Sequence, residues 1–398
     1  MSAVPDAGRE RLARAALYLG GFLGPFGGGV IVVLVPELQR AFDASAAEVT
    51  AGLTVYLLPF AALQLVSGTI GERLGRARTI RWAFVVYAAA SFGVALAPAI
   101  VPFLALRAVQ GAANAFTTPL LLAALAETTP PERLGRSMGT FASVQTAGLV
   151  MAPLCGGLLG AIDPALAFAV PGLAALLLAA APLTGTARAA GETPARLRDA
   201  FTRRSTTIAT AGFLAYLAIN GVSFLVSLRG ADHFGLDATE RGVLLAGFGF
   251  AGMLAGRPAG GLVDRTGSRP IVAGGALLCA VMLALLGVVG SVVLLALAWF
   301  VAGAGSSLVW AGLNTLAVQS APANRGGAIS VVGAFKLAGN ALAPPLWLPL
   351  YLERDELAFA AAAGACAAIV LVIGLLGGPR RIVVAAADRA RATAAAHQ

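Results

Sequence analysis

Apolar runs of about 20 residues, separated by short polar and arginine-bearing segments, recur from one end of the 398-residue chain to the other. A helix of that length can cross a hydrocarbon layer of roughly 30 Å while pairing its own backbone N–H and C=O groups. The pattern predicts twelve such helices, at 15–36, 48–70, 80–98, 102–125, 136–160, 165–185, 206–228, 241–262, 270–290, 292–317, 327–351 and 357–377. The expected architecture is therefore an all-α integral membrane protein of two pseudo-symmetric six-helix bundles. Its expected parts are an N-terminal tail (1–14), a first bundle (15–185), a linker rich in Arg, Ala, Gly and Pro (186–205), a second bundle (206–378) and a C-terminal tail (379–398).

The two halves repeat at a fixed offset. Gly68, Glu72, Arg73 and Gly75 after span two correspond to Gly260, Asp264, Arg265 and Gly267 after span eight, and Glu72 and Asp264 are 192 residues apart. The same spacing pairs Arg133 with Arg325, Gly135 with Gly327, Gly111 with Gly303 and Pro153 with Pro345. Internal duplication of this kind is common in transporters, with the ligand site between the repeats.

Composition sharpens this picture. Hydrophobic residues make up 58% and charged residues 12% of the chain, far from the balance of a soluble domain. The net charge of +9 would suit nucleic acid, but its placement excludes that partner. With the N-terminus in the cytoplasm, 21 of the 28 basic residues fall on inner segments, four (Arg40, Arg229, Arg241, Arg354) on outer loops, and three within or at the ends of spans. This is the positive-inside bias, and it predicts a multi-pass protein of the cell (inner or plasma) membrane with both termini cytoplasmic. The first apolar stretch lacks a cleavage site and reads as a first span. Cys155, Cys279 and Cys366 lie in three different spans, so neither a disulfide framework nor a metal site is expected, and no cofactor either. No nucleophile–base pair or phosphate loop appears, which argues against an enzyme.

The loop after span two, with Gly68, Glu72, Arg73, Gly75, Arg76 and Arg78, resembles the G-x-x-x-D/E-R-x-G-R-x-R/K motif of the major facilitator superfamily, and the resemblance covers essentially the whole chain. Physically, Gly68 permits close helix contact, Glu72 can face the positive end of a neighbouring helix, and the arginines hold the loop at the cytoplasmic face. The resemblance implies a gate in which Glu72 docks near Gly326 and Gly327 and Arg76 pairs with Glu127, holding the bundles together in the outward-open state. Asp264 and Arg265 would be its counterparts in the second half.

Span four places Arg107, Gln110, Gly111 and Asn114 on one helical face. An arginine inside a span costs roughly 2.5–3.5 kcal/mol on insertion scales, so Arg107 should face a wet cavity or a partner rather than lipid. The stripe resembles the superfamily's R-x-x-Q-G motif, which implies a role for Arg107, Gln110 and Gly111 in proton coupling. Span five, with Gly148, Pro153, Gly156 and Gly157, looks like the antiporter motif G-x-x-x-G-P-x-x-G-G, with Ala152 where that motif has the glycine before proline. Small residues and a proline there suit a kinked, closely packed helix.

Lys336 is the only lysine, and it sits about nine residues into span eleven on the face of Gly339 and Asn340. It reads either as a cavity residue that meets substrate or an anion, or as a lysine that snorkels to an interface. Further cavity candidates are Phe22, Pro25 and Phe26 in span one, the Tyr216, Asn220, Phe224 stripe in span seven and the Ser306, Trp310, Asn314 stripe in span ten, with Asn114 and Asn340 beside them. Every Asp and Glu falls outside the spans or at their ends, so no buried carboxylate stands out as a proton carrier; Glu37, Glu48 and Glu127 are the nearest substitutes. The combined expectation is a monomeric transporter in the lipid bilayer exporting a drug-like or secondary-metabolite small molecule in exchange for protons, resembling the twelve-span drug:proton antiporters. Two rivals stand beside it: a uniporter or importer of a small organic anion held by Arg107 and Lys336, and a membrane sensor that does not transport.

Overall fold

A computed structural model describes residues 7–183, 201–320 and 325–376, and all of its regular structure is helical. The first half runs α1 (Ala7–Gly29), a 3-10 turn (Val30–Val33), α2 (Val35–Phe42), α3 (Ala46–Leu74), α4 (Arg76–Ala95), α5 (Ile100–Asn114), α6 (Thr118–Glu127), α7 (Pro131–Ile162) and α8 (Leu166–Ala180). The second runs α9 (Arg203–Ala215), a π turn (Tyr216–Asn220), α10 (Ser223–Phe234), α11 (Ala238–Thr266), α12 (Ser268–Val288), α13 (Val292–Ser320), α14 (Arg325–Glu353) and α15 (Asp355–Gly374). Among the described residues nine helical segments are long and apolar enough to cross a membrane. Helices α4, α8 and α14 stand where spans three, six and eleven are predicted. Most of the predicted linker and all of the C-terminal tail lie outside the described residues.

Two spans predicted as continuous are interrupted. Span four divides into α5 and α6, because Pro119 near the start of α6 has no N–H to donate back to the preceding turn. Thr117 fills the break by donating to the backbone and side-chain oxygens of Asn114, each at 2.8 Å. Span seven contains the π turn, closed by a hydrogen bond from Gly221 N–H to the Tyr216 carbonyl at 2.7 Å. The Leu217 carbonyl, in the same turn, accepts from Trp347 Nε1 of α14 at 2.8 Å, so the irregular backbone is satisfied by a neighbouring helix.

The repeat extends to backbone detail. Gly75 and Gly267 join α3 to α4 and α11 to α12 at φ +91° and +88°, values an L side chain rarely adopts. Asp43 and Gly235, again 192 apart, end α2 and α10 in the left-handed region at φ 49° and 64°. Two residues later each half starts its long helix with a capping box, Ser45 with Glu48 and Asp237 with Glu240.

The halves meet along α7 against α11 and α3 against α14. Near the end opposite the arginine-rich turns, a Cβ at Gly242 would lie 2.6 Å from the Pro153 carbonyl and 3.3 Å from Gly157 Cα, so the helices approach to backbone contact. Thr54 Oγ1 donates to the Ala341 carbonyl at 2.6 Å across the other seam. Toward the arginine-rich end the packing loosens: a Cβ at Gly68 or Gly256 would meet no described atom within 4 Å.

Candidate functional site

Between the bundles lies a cavity of about 770 Å³, walled by α1, α3 and α7 on one side and by the π turn, α11, α13 and α14 on the other. Eight of the expected cavity residues line it: Pro25, Tyr216, Asn220, Ser306, Trp310, Asn314, Lys336 and Asn340. Phe22, Phe26, Asn114 and Phe224 do not, which corrects the sequence expectation. Phe26 is turned into the first bundle, stacked on Phe22 with ring centroids 5.4 Å apart, while Pro25 and Gly28 face the cavity. Asn114 lies behind the wall, donating to Tyr56 Oη at 2.8 Å and to the Gly24 carbonyl at 3.3 Å. In span seven Ser223, seven residues after Tyr216, lines the wall in place of Phe224, which is buried.

Lys336 holds the cavity's charge. Its Nζ donates to Asn314 Oδ1 at 3.0 Å and lies 5.0 Å from the Trp310 ring centroid and 5.6 Å from that of Tyr216. The two rings are themselves in contact, with centroids 4.6 Å apart, and present their faces to the ammonium group. Lys336 is the one charged side chain among the described lining residues.

Arg107 belongs to a different environment. It is fully buried in the first bundle, donating to the Gly27 carbonyl at 3.1 Å, the Gly52 carbonyl at 3.4 Å and Gln110 Oε1 at 2.9 Å. Its guanidinium lies 4.3 Å over the Tyr56 ring, and Gln110 passes the chain on by donating to Ser91 Oγ at 2.7 Å. Carbonyl dipoles and a ring face thus replace a carboxylate partner, and the charge ties α1, α3 and α5 together. Gly111, next in the stripe, allows the close crossing of α5 on the Tyr56 backbone. Tyr56 stands in the cavity wall and Arg107 does not, so Arg107 and Lys336 do not form one anion site.

At the arginine-rich end, Arg76 is buried and pairs with Glu127 at 2.5 Å, as the motif resemblance implies. Arg73, Asp264 and Arg265 are exposed. Gly326 and Gly327 open α14, the Glu72 side chain lies outside what the structure describes, and among the described residues none makes the close contact expected at Gly68. Other arginines at this end donate to carbonyls at or beside helix C-termini: Arg14 to Thr128, Arg81 to Ala179 and Arg269 to Leu376, the last at 2.8 Å.

The opposite end carries a contact the sequence did not reveal. Arg241 Nη2 donates to both carboxylate oxygens of Glu37, at 2.6 and 2.7 Å, joining the two halves. Arg241 is almost fully buried there. Glu37 and Arg241 are 204 residues apart, and only their opposite charges at the outer ends of spans one and eight could have hinted at the pair. On the same side Asp355 meets Arg229 and, at 3.0 Å, His233 in the last turn of α10.

The family model described as Major Facilitator Superfamily matches residues 17–207 and 208–395. The chain belongs to that superfamily. The chain is 28% identical over 130 residues to the tetracenomycin C resistance and export protein of Streptomyces glaucescens, covering 33% of this chain and 24% of that one. To the methylenomycin A resistance protein of Streptomyces coelicolor it is 30% identical over 131 residues, covering 33% of this chain and 28% of that one. The matches thus span under a third of these relatives' length. The fold is similar to a bacterial homologue of the human lysosomal transporter Spinster in its inward-facing, unoccupied conformation, with TM-score 0.70, 18% identity and coverage of 94% and 96% of the two chains.

The motif-like stripe of span five sits on α7, where Gly148 meets the Phe22 backbone, Gly156 packs against Val30 and Gly157 against the first turns of α11. Pro153 lies inside the same helix, its carbonyl facing Gly242. The motif therefore occupies the seam between α1 and α11, where the halves touch, and not the cavity floor. Among the described residues no group of three or more His, Cys, Asp or Glu side chains converges as a metal site would need.

Proposed function

We propose that this superfamily transporter exports a drug-like or secondary-metabolite small molecule from the cell in exchange for protons, by rocking its two bundles about the cavity. In this reading the chain crosses the cell membrane twelve times as a monomer, with the arginine-rich end and both termini in the cytoplasm. The observation that carries the proposal is the cavity itself: both bundles contribute to its wall, and among the described residues the Glu37–Arg241 ion pair joins them at the end away from the arginine-rich turns. Such an arrangement suits the cytoplasm-facing half of an alternating-access cycle. Export is further supported by the resistance and export relatives, and proton exchange by the motif-like stripes Arg107-Gln110-Gly111 on α5 and Gly148-Pro153-Gly156-Gly157 on α7. In the opposite state, Glu72 would dock on the start of α14 and the Arg76–Glu127 pair would brace it, while Glu37 and Arg241 would part.

Reconstitution into vesicles with an imposed pH gradient tests the reading, with a panel of cationic, neutral and anionic compounds as cargo. Uptake into vesicles that follows an inside-acid gradient and collapses with a protonophore is the expected result. Cargo movement indifferent to the gradient overturns proton exchange, and no movement of any compound overturns transport.

A further inference from the structure

Three features of the cavity wall point to the chemistry of its cargo. The first is charge: among the described lining residues there is one cation, Lys336, and no carboxylate. Its ammonium group is engaged by neutral partners, the Asn314 amide oxygen and the faces of Trp310 and Tyr216, none of which cancels its charge. A cationic guest would add a second positive charge without a counter-ion, whereas an anionic guest would supply the missing one. The second feature is shape: the tilted Trp310–Tyr216 pair beside the ammonium offers ring faces on which a flat body can stack.

The third is a set of unmet acceptors. The side-chain oxygens of Asn220, Asn340 and Gln64 are buried and have no hydrogen-bond partner, and all three residues are on the wall. Buried acceptors without partners are costly, and a guest bearing hydroxyl or N–H donors would relieve them.

We infer that the cavity takes a singly charged aromatic anion carrying hydroxyl or N–H donors, with Lys336 as its counter-ion and Trp310 and Tyr216 as its stacking platform. The inference rests on the reading of this cavity as the cargo site. It assigns no anion contact to Arg107, which is buried behind the wall and does not line the cavity, its Nε and Nη1 donating to α1, α3 and Gln110. Binding is governed by charge sign first and by donor groups second.

The test is equilibrium binding by calorimetry to the purified full chain in lipid nanodiscs, using 6-hydroxy-2-naphthoate, its neutral carboxamide and its aminomethyl cation. The naphthoate should bind at least tenfold more tightly than the amide, and the cation most weakly. Lys336→Arg should keep that order, and Lys336→Gln should bring naphthoate and amide within about threefold while the protein stays folded by size exclusion and melting. Equal or tighter binding of the cation, survival of the order in Lys336→Gln, or binding of none of the three overturns the inference. Flux in vesicles is read separately: charge-ordered binding without flux counts against transport alone, and flux without charge order counts against this assignment alone.

Discussion

The two halves of this chain build one frame and furnish it differently. At the crossing of α3 on α5, Gly111 meets the Tyr56 carbonyl and Arg107 covers the Tyr56 ring. At the crossing of α11 on α13, 192 residues later, Gly303 meets the Phe248 carbonyl and Trp299 stacks on the Phe248 ring, centroids 4.5 Å apart. The glycine contact is the same, but a hydrogen-bonded guanidinium has become an indole. Around it, Gln110, Ser91 and Tyr87 of the first half correspond to Ala302, Leu283 and Cys279 of the second. A polar network thus stiffens one bundle where hydrocarbon and sulfur fill the other, and the second bundle instead puts its charge, Lys336, on the cavity wall, at the position matching Val144. Elements that hold helices together are duplicated, whereas buried charges are not.

The sharpest way to break this comparison is to remove the two bases, Arg107 and Lys336, in turn. Arg107→Ala leaves Gln110 and two backbone carbonyls without their donor and should cost about 3 kcal/mol or more of first-bundle stability, with transport lost along with it. Lys336→Gln should abolish charge-selective transport while the melting temperature moves by no more than a few degrees. Thermal denaturation beside vesicle flux reads both, and a Lys336 variant as unstable as the Arg107 variant would erase the distinction between frame and site.

The duplicated contacts give smaller, paired effects. Gly111→Ala and Gly303→Ala each drive a methyl group into a backbone carbonyl, and each should cost about 1–3 kcal/mol. Chemical denaturation of the two variants should agree within about 0.5 kcal/mol, and a wide disagreement would mean that the crossings are not equivalent. Smaller still, Gly75→Ala and Gly267→Ala place a side chain at φ +91° and +88° and should each cost about 1–2 kcal/mol, again read as a matched pair of melting shifts.

Much of this frame was legible in the sequence because lipid imposes a strict rule: backbone groups must pair within the span, so apolar length alone marks a helix. The repeat offset marks Gly75 and Gly267, and the same offset carries through Asp43/Gly235 and the two capping boxes. The breaks at Pro119 and at the π turn were not legible as such, since each depends on a neighbour, Thr117 or Trp347, to satisfy the freed backbone groups. The site was legible in part. Helical spacing found Trp310, Asn314 and Lys336 on one wall, because α13 and α14 are regular there. It misdirected Phe26 and Asn114, because a polar or aromatic stripe can turn as readily into its own bundle as into the space between bundles. The Glu37–Arg241 contact depends on how the halves come together, and no periodicity within either half encodes it.

The central claim is that one shared frame rocks about the cavity, opening one end as it closes the other. Spin labels at Arg73 and Arg265, on the exposed turns of the arginine-rich end, and at Ala47 and Glu353 on the opposite end, report both gates in a chain whose three cysteines are replaced. Pulsed dipolar distances should show the first pair approaching and the second separating when Glu37→Gln removes the charge that holds Arg241. Distances that stay fixed in both pairs, or that grow or shrink together, would contradict the account.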